Sequence, residues 1–200
     1  MADFDCMSKV ADHIERELSA GLKLAVVVSA MAGETDRLIS LADQVGSNTK
    51  QSEKDVIISS GEQVSSAILS MILNKRNINA KSIQGWQIPL ITIGMHGSAR
   101  INDVKSDYLD KLIEDGVVPI IAGFQGISQE NRVTTLGRGG SDTTAVAIAC
   151  AINADLCDIY TDVDGVYTSD PRVIPKAQKL NIISFEEMLE MASQGAKVLQ

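Results

Sequence analysis

The 200-residue sequence has few aromatic side chains, few cysteines and no excess of positive charge. Phe, Trp and Tyr make up 4% of the residues, so the core has to be built from Val, Ile, Leu, Ala and Met. The three cysteines lack metal-like spacing and indicate thiols in a reducing compartment. The net charge of −8 excludes an overall basic surface for nucleic acid, although a local anion site remains compatible with it.

A membrane segment and a leader peptide are also not recognisable in the sequence, because no apolar run is long enough to span a bilayer. We therefore expect a cytoplasmic protein without a membrane partner. Hydrophobic residues make up 44% and charged residues 22%, which is typical of a globular domain with a sizeable core.

Short apolar runs alternate with helical patterns along the chain. The runs that predict buried strands are residues 24–28, 56–58, 117–122 and 156–161. The periodic patterns that predict helices are a first one through Val10, Ile14 and Leu18, and then residues 34–45, 64–73, 108–113 and 142–152. The last of these is almost wholly apolar and is expected to be deeply buried. This alternation predicts an α/β fold on a mostly parallel sheet.

A glycine-rich segment precedes the apolar helical pattern that starts at Asp142. Its glycines allow a close approach of the backbone to a ligand, and a helix that starts after such a loop favours anions. Arg138 can hold a carboxylate with two parallel hydrogen bonds. Ser141, Asp142 and Thr143 are suitable helix caps. A ligand site is favoured over a solvated turn with a structural cap.

A long polar segment follows the predicted strand at 156–161, where open α/β sheets bind ligands. It contains Thr161, Asp162, Tyr167, Asp170 and Arg172. A calcium loop does not fit its later positions. An ordered surface loop with Asx turns is the structural alternative.

Two shorter segments are explained by helix capping alone. Ser29 and Thr35 lie where the first predicted strand gives way to a helix, and both hydroxyls can donate hydrogen bonds. Ser60 and Gln63 form a capping box that would place Glu62 in the first turn of a helix. Neither histidine, His13 nor His96, has partners arranged as in a triad or metal site.

Taken together and in order, these segments resemble the motifs of the aspartate kinase family. The matching stretches are residues 27–36, 60–62, 137–145, 161–172 and 195–199. The resemblance implies a three-layer α/β/α sandwich, the amino-acid kinase fold. It also implies transfer of the γ-phosphoryl group of ATP to the β-carboxylate of L-aspartate, giving 4-phospho-L-aspartate. This reaction opens lysine, threonine and methionine biosynthesis.

The resemblance further implies roles for individual side chains. Arg138 should hold the α-carboxylate of aspartate and Glu62 its α-amino group, while Ser29 and Thr35 approach the β-carboxylate. Asp142 should organise the transfer centre, with Ser141 beside it. The residues that should surround the nucleotide are Thr161, Asp162, Tyr167, Asp170, Arg172, Lys197 and Val198. Mg²⁺ should bridge the phosphates, and no residue is assigned as its ligand.

The sequence departs from the family at both ends. The family begins with a strand and a Lys-Phe-Gly-Gly-Thr-Ser loop, which have no counterpart before Met1. We therefore expect residues 1–200 to form a partial catalytic domain that lacks the first strand and any regulatory domain. An inactive remnant that binds nucleotide or aspartate without turnover is the alternative. A homo-oligomer is compatible with either interpretation.

Overall fold

The computed structural model describes residues 3–46, 48–161, 165–169, 173–174 and 176–193. The chain divides into two units, Met1–Cys157 and Asp158–Gln200. The elements of the first unit are α1 (Phe4–Ser19), β1 (Val26–Val28), α2 (Glu34–Asp43), α3 (Gln51–Lys75), β2 (Ala80–Ile83), β3 (Leu90–Ile93), β4 (Arg100–Val104), α4 (Asp107–Glu114), β5 (Val118–Ala122), β6 (Gln125–Ile127), β7 (Val133–Thr135) and α5 (Gly140–Ala151). The second unit contains α6 (Phe185–Ser193).

A parallel three-stranded sheet forms the centre of the first unit, with the strand order β1-β5-β2. Val26 pairs with Ile120 on one side of β5, and Ser82 pairs with Ile120 on the other. Every residue of β5 is buried, as expected for an apolar strand that is covered on both faces. The strands predicted from residues 24–28 and 117–122 are confirmed, each slightly shortened at its start.

Helices cover both faces of this sheet. Ile120 packs with Leu69 and Leu73 of α3 and with Ile14 of α1. The next residue, Ile121, points to the opposite face and packs with residues of α4 and α5. The alternation follows from the period of two along a strand. The predicted α/β class, with helices on both faces of a mostly parallel sheet, is confirmed.

A second, four-stranded sheet was not predicted. Its order is β4-β3-β6-β7, and it mixes antiparallel pairs with one parallel pair between β3 and β6. Its strands are only three to five residues long. The sequence of β4, with Arg100, Asn102 and Asp103, has no apolar run of the kind used to predict strands.

The strand predicted at residues 56–58 and the capping box at Ser60 are wrong, because one helix, α3, runs through both. The buried positions on α3 recur every three or four residues, as expected for one face of a helix. Val56 is exposed and Ile58 is buried, so the apolar triplet does not share one environment. Ser60 donates its hydroxyl to the Ile57 carbonyl within the helix, at 2.6 Å, and does not cap a terminus.

Helix α3 is also long and apolar enough, by length and composition alone, to cross a membrane, with a mean hydropathy of 1.5 in its most apolar window. This differs from the expectation drawn from the sequence. Half of that window is buried inside the protein, and the buried face includes Asp55 and Glu62. The apolar character of α3 is therefore accounted for by packing against the sheet.

Two further expectations are corrected by the structure. Residues 156–161 form no strand, although they were predicted as one, so the polar segment after them does not follow a strand. Helix α5 is formed as expected, but only Gly140, Thr144 and Ile148 are buried in it, and Val146 is 47% exposed. The deep burial that was predicted from its apolar composition is therefore wrong.

In the second unit, the described residues form a short antiparallel contact followed by α6. Tyr167 bridges to Lys179, and backbone hydrogen bonds join Thr168 to Gln178 and Leu180 to Val166. Ser184 and Glu187 cap α6 reciprocally, since each accepts a backbone N–H of the other.

Candidate active site

A cavity of about 590 Å³ opens beside the carboxyl ends of the parallel strands β1 and β5. Ser29 follows β1 directly, and Phe124 lies two residues beyond β5. This edge of an open α/β sheet is where ligands commonly bind. The cavity lining includes all the predicted aspartate-binding and catalytic residues: Ser29, Thr35, Glu62, Arg138, Ser141 and Asp142.

Glu62 is the buried anionic group of the cavity. It lies on the core-facing side of α3 and is 3% exposed. Its Oε1 accepts a hydrogen bond from the Ala30 N–H at 3.2 Å, whereas its Oε2 is buried without a partner among the described residues. Burial raises the pKa of Glu62 from an ordinary 4.5 to about 7, because desolvation outweighs the backbone hydrogen bonds that lower it. The buried Oε2 is therefore suited to accept a hydrogen bond from a cationic group of a ligand.

Gly61 brings Glu62 close to the loop after β1. A Cβ atom added at Gly61 would lie 2.9 Å from the Cβ of Ala30, closer than two carbons can pack. Only glycine therefore allows α3 to approach this loop so closely. Glu62 thus occupies the predicted site from the middle of a helix, and not from the first turn that was expected.

Helix α5 presents its N-terminus to the cavity. Its N-cap is Gly139, at φ 71°, and no side chain among the described residues accepts a hydrogen bond from the first N–H groups of the helix. The Thr143 hydroxyl donates instead to the Gly139 carbonyl, at 3.1 Å. The predicted capping by Ser141, Asp142 or Thr143 is therefore wrong. The first N–H groups of α5 line the cavity without a side-chain cap, and such a terminus favours anions.

Three side chains accompany this helix end. Arg138 is exposed directly before the N-cap and forms no ion pair with the described residues. Ser141 and Asp142 lie in the first turn, and burial raises the pKa of the Asp142 carboxyl. A Cβ added at Gly123, just after β5, would lie 2.8 Å from the Ser141 hydroxyl, so glycine is needed for this close contact.

Helix α2 provides a second N-terminus at the same cavity. Its N-cap is Gly33, at φ 75°, again without a side-chain cap from the part of the chain that the structure describes. Glu34 is held by two hydrogen bonds from Arg37, which lower the pKa of its carboxyl. The next residues, Thr35 and Asp36, line the cavity. The capping role that was favoured for this segment is therefore not observed among the described residues. The Glu34 N–H donates instead to the Met31 carbonyl, at 3.0 Å.

The residues predicted to bind nucleotide fall in the second unit or outside the described residues. Thr161 is exposed, and Tyr167 lies in the bridge to Lys179. The positions that lie outside the described residues are Asp162, Asp170, Arg172, Lys197 and Val198. Their assignment therefore remains a prediction.

Sequence reasoning missed several residues around the cavity. Phe124 lines it at φ +66°, a left-handed backbone that a bulky residue rarely adopts and that tends to mark functional sites. Asp55 is fully buried and accepts a hydrogen bond from His96, a contact that was not predicted from the sequence. A pattern of local sequence cannot reveal this pair, because the two residues lie on different elements, 41 positions apart.

Comparison with known proteins gives consistent matches. The sequence matches the amino acid kinase family over residues 1–200. An aspartokinase of Rickettsia bellii is 49% identical over 198 residues, which are 98% of this chain and 49% of that protein. The chain thus spans about half the length of the curated relatives it matches.

Solved structures agree with this match. Aspartate kinase from Synechocystis superposes with a TM-score of 0.82 at 44% identity, covering 100% of this chain and 33% of that one. E. coli aspartokinase III in complex with aspartate and ADP superposes with a TM-score of 0.86 at 30% identity, covering 100% of this chain and 55% of that one. With the parallel sheet, the paired helix ends and the cavity at the strand ends, these matches show that the chain belongs to the amino acid kinase family.

Proposed function

We propose that the protein acts as an aspartate kinase, which transfers the γ-phosphoryl group of ATP to the β-carboxylate of L-aspartate and so opens the synthesis of aspartate-derived amino acids. The observation that carries the proposal is the pairing of Glu62 and Arg138 at one cavity. An α-amino acid is a zwitterion, and the cavity offers a buried carboxylate for its ammonium and a guanidinium for its α-carboxylate. Relatives at about 50% identity are named aspartokinase, which supports this choice of amino acid.

The ammonium of the substrate offsets the desolvation of the Glu62 carboxylate. Without a ligand, this carboxylate is desolvated and has one hydrogen bond. A bound ammonium would donate to the unpartnered Oε2 and favour the ionised form. Arg138, with its planar donors, suits a carboxylate better than a lysine would. These two contacts fix the orientation of the amino acid, and they leave its side chain to point at the reacting groups.

The β-carboxylate needs no strong base, because it is already a nucleophile. The barrier comes from bringing it close to the negatively charged phosphates, so positioning and neutralisation of charge have to supply the catalysis. The N-termini of α2 and α5 place positive partial charge at the cavity. Ser29 and Thr35 can donate hydroxyl hydrogen bonds to the β-carboxylate, and Ser141 and Asp142 are placed at the α5 end for the transfer step.

ATP and Mg²⁺ complete the reaction. Mg²⁺ usually binds through phosphate oxygens and few carboxylates, and it supplies neutralisation of the phosphate charge when bound. Besides Glu62, the carboxylates of Asp36 and Asp142 line the cavity, and each could give an oxygen ligand to the ion.

The proposal is tested by trapping the acyl phosphate. The protein is incubated with ATP, Mg²⁺, L-aspartate and hydroxylamine, and aspartyl hydroxamate is measured. Arg138→Ala should raise KM for L-aspartate by about 100-fold, which corresponds to the loss of a charged hydrogen-bonded contact worth about 3 kcal/mol. Arg100→Ala removes an exposed arginine on β4 and serves as the matched control.

Two results would contradict the proposal. Binding of ATP without any aspartate-dependent hydroxamate would mean that the protein holds nucleotide but transfers nothing. An unchanged KM in Arg138→Ala would mean that the α-carboxylate is held elsewhere.

A further inference from the structure

Asp55 is the centre of a buried hydrogen-bond cluster next to the cavity. Its carboxylate is fully buried on α3. Oδ2 accepts from the His96 ring Nδ1 at 2.7 Å and from two backbone N–H groups, those of Gly97 at 3.1 Å and Thr135 at 3.2 Å. Oδ1 accepts from the Thr135 hydroxyl at 2.9 Å and from the Gln51 amide at 3.4 Å. One carboxylate thus satisfies five donors from three different segments.

These partners require an acceptor with two oxygens. Backbone N–H groups can only donate, and the carboxylate can only accept, so the His96 proton facing Asp55 has to lie on Nδ1. Hydrogen bonds to an ionised acceptor are roughly twice as strong as neutral ones, and a buried charge is tolerated when it is fully hydrogen-bonded. Asp55 therefore fixes the positions of its donors more firmly than a neutral side chain could.

The segments that Asp55 joins are those that carry the aspartate-binding groups. Asp55 precedes Glu62 by seven residues on α3, which is about two helical turns and places both on the same face. Thr135 precedes Arg138 by three residues, at the end of β7. Gly97 and Thr135 themselves line the cavity. The carboxylate of Asp55 thus ties the helix that bears Glu62 to the loop that bears Arg138.

A backbone contact strengthens this link. The Ala99 N–H donates to the Thr135 carbonyl at 3.0 Å, and Ala99 bridges to Leu136. The 96–99 loop and the 135–138 segment are therefore held side by side, with Asp55 beneath both. His96 closes the cluster from the outer side, with 27% of its side chain exposed. It is not part of the cavity lining, so it can affect a ligand only through its neighbours.

We propose that Asp55, anchored by His96, is a positioning residue that sets the separation of Glu62 and Arg138 and so determines the affinity for the amino-acid substrate. The inference rests on the proposed function, since it assumes that these two groups bind the ends of an α-amino acid. A zwitterion has a fixed distance between its ammonium and its carboxylate. A small shift between α3 and the 135–138 segment therefore weakens both contacts together.

The test compares variants of Asp55 and His96 in the hydroxamate assay. Asp55→Asn keeps the size of the side chain but replaces one acceptor oxygen by a donor, next to groups that donate. We expect KM for L-aspartate to rise at least tenfold, with KM for ATP changed less than twofold. His96→Ala should raise KM for L-aspartate by three- to tenfold. His96→Asn, whose amide nitrogen can replace Nδ1, should restore most of the affinity.

Ser70→Ala is the matched control for a structural effect. Ser70 is buried on the same helix, but its hydroxyl donates only to the Ser66 carbonyl within α3. This variant should leave both KM values within twofold of the wild type. Thermal unfolding of each variant shows whether it is folded. Should Asp55→Asn not fold, the comparison of His96→Ala with His96→Asn carries the test.

The outcomes separate the two proposals. Wild-type protein without aspartate-dependent turnover would overturn the proposed function, and the positioning role with it. Active wild-type protein combined with unchanged KM for L-aspartate in the Asp55 and His96 variants would overturn the positioning role alone. Equal changes of both KM values, or failure of His96→Asn to restore affinity, would also contradict it, because such results indicate a general loss of structure.

Discussion

Glu62→Gln should make the ligand-free protein more stable while it removes aspartate binding. The pKa of Glu62 is raised to about 7 in the folded protein, against an ordinary 4.5. The folded state therefore holds this proton more tightly than the unfolded state does. The contribution of Glu62 to the free energy of unfolding is therefore largest below pH 4.5 and is lost as pH rises through about 7. The difference amounts to about 3 kcal/mol at pH 8, since one pKa unit corresponds to about 1.4 kcal/mol.

The glutamine variant removes this cost without changing the shape of the side chain. Its Oε1 can still accept from the Ala30 N–H, as in the wild type. At pH 5 the wild-type side chain is largely protonated, so the two proteins should differ little. At pH 8 the variant should be more stable by about 3 kcal/mol, which is a rise of roughly 6–12 °C in Tm for a chain of this size. The gap between the proteins should therefore open between these two pH values.

The assay is thermal unfolding at pH 5 and pH 8, with and without L-aspartate. Glu114→Gln, at an exposed position of α4, controls for the loss of one negative charge and should change stability by less than about 0.5 kcal/mol. L-aspartate should raise the Tm of the wild type and not that of Glu62→Gln. The reasoning would be refuted by a variant that is less stable than the wild type at pH 8, or by one whose stability differs from the wild type equally at both pH values. Either result would mean that the ionised Glu62 carboxylate does not destabilise the ligand-free protein.

Two further outcomes follow from the same site. KM for L-aspartate should rise about tenfold from pH 8 to pH 6, because Glu62, with a pKa of about 7, has to be ionised to bind the ammonium. Initial rates at each pH measure KM, and a KM that does not change with pH would contradict this prediction. Gly61→Ala should lower the free energy of unfolding, measured in urea, by about 1–3 kcal/mol and should lower the activity, because the added Cβ would lie 2.9 Å from the Cβ of Ala30. A variant with the stability of the wild type would show that α3 can move away from the loop after β1 without cost.

The parallel sheet could be predicted from sequence because its strands are continuous apolar runs. Residues 118–122 are all buried, and no other pattern competes with a strand there. The second sheet could not be predicted in this way, since a strand such as β4 is short and partly exposed, with charged residues. Its pairing depends on contacts between segments that are distant in the sequence, such as Ile91 with Ile127.

The predicted site residues of the first unit line one cavity, but the local structure that was predicted around Glu62 is wrong. Glu62 was expected in the first turn of a helix that would start at a capping box of Ser60 and Gln63. It lies instead near the middle of α3, where a buried acid has no local structural purpose. The hydrophobic pattern of α3 is interrupted, because the buried face of this helix carries serines and acids as well as leucines, and the triplet at residues 56–58 therefore resembled a separate strand. A hydrophobic pattern cannot recognise a core face that is partly polar.

The two buried acids of α3 show how hydrogen bonding separates structural from ligand-binding roles. Asp55 and Glu62 lie on the same face, and both are almost inaccessible to water. Asp55 accepts from five donors, so its charge is satisfied within the protein, and its removal leaves those donors unpaired. Glu62 accepts from one backbone N–H and keeps one oxygen without a partner, so its charge is a cost that a bound ammonium can offset. Because one helix carries both groups, the hydrogen-bonded Asp55 can hold Glu62 at a fixed distance from Arg138. Ligand binding then does not have to order the site, which increases the affinity.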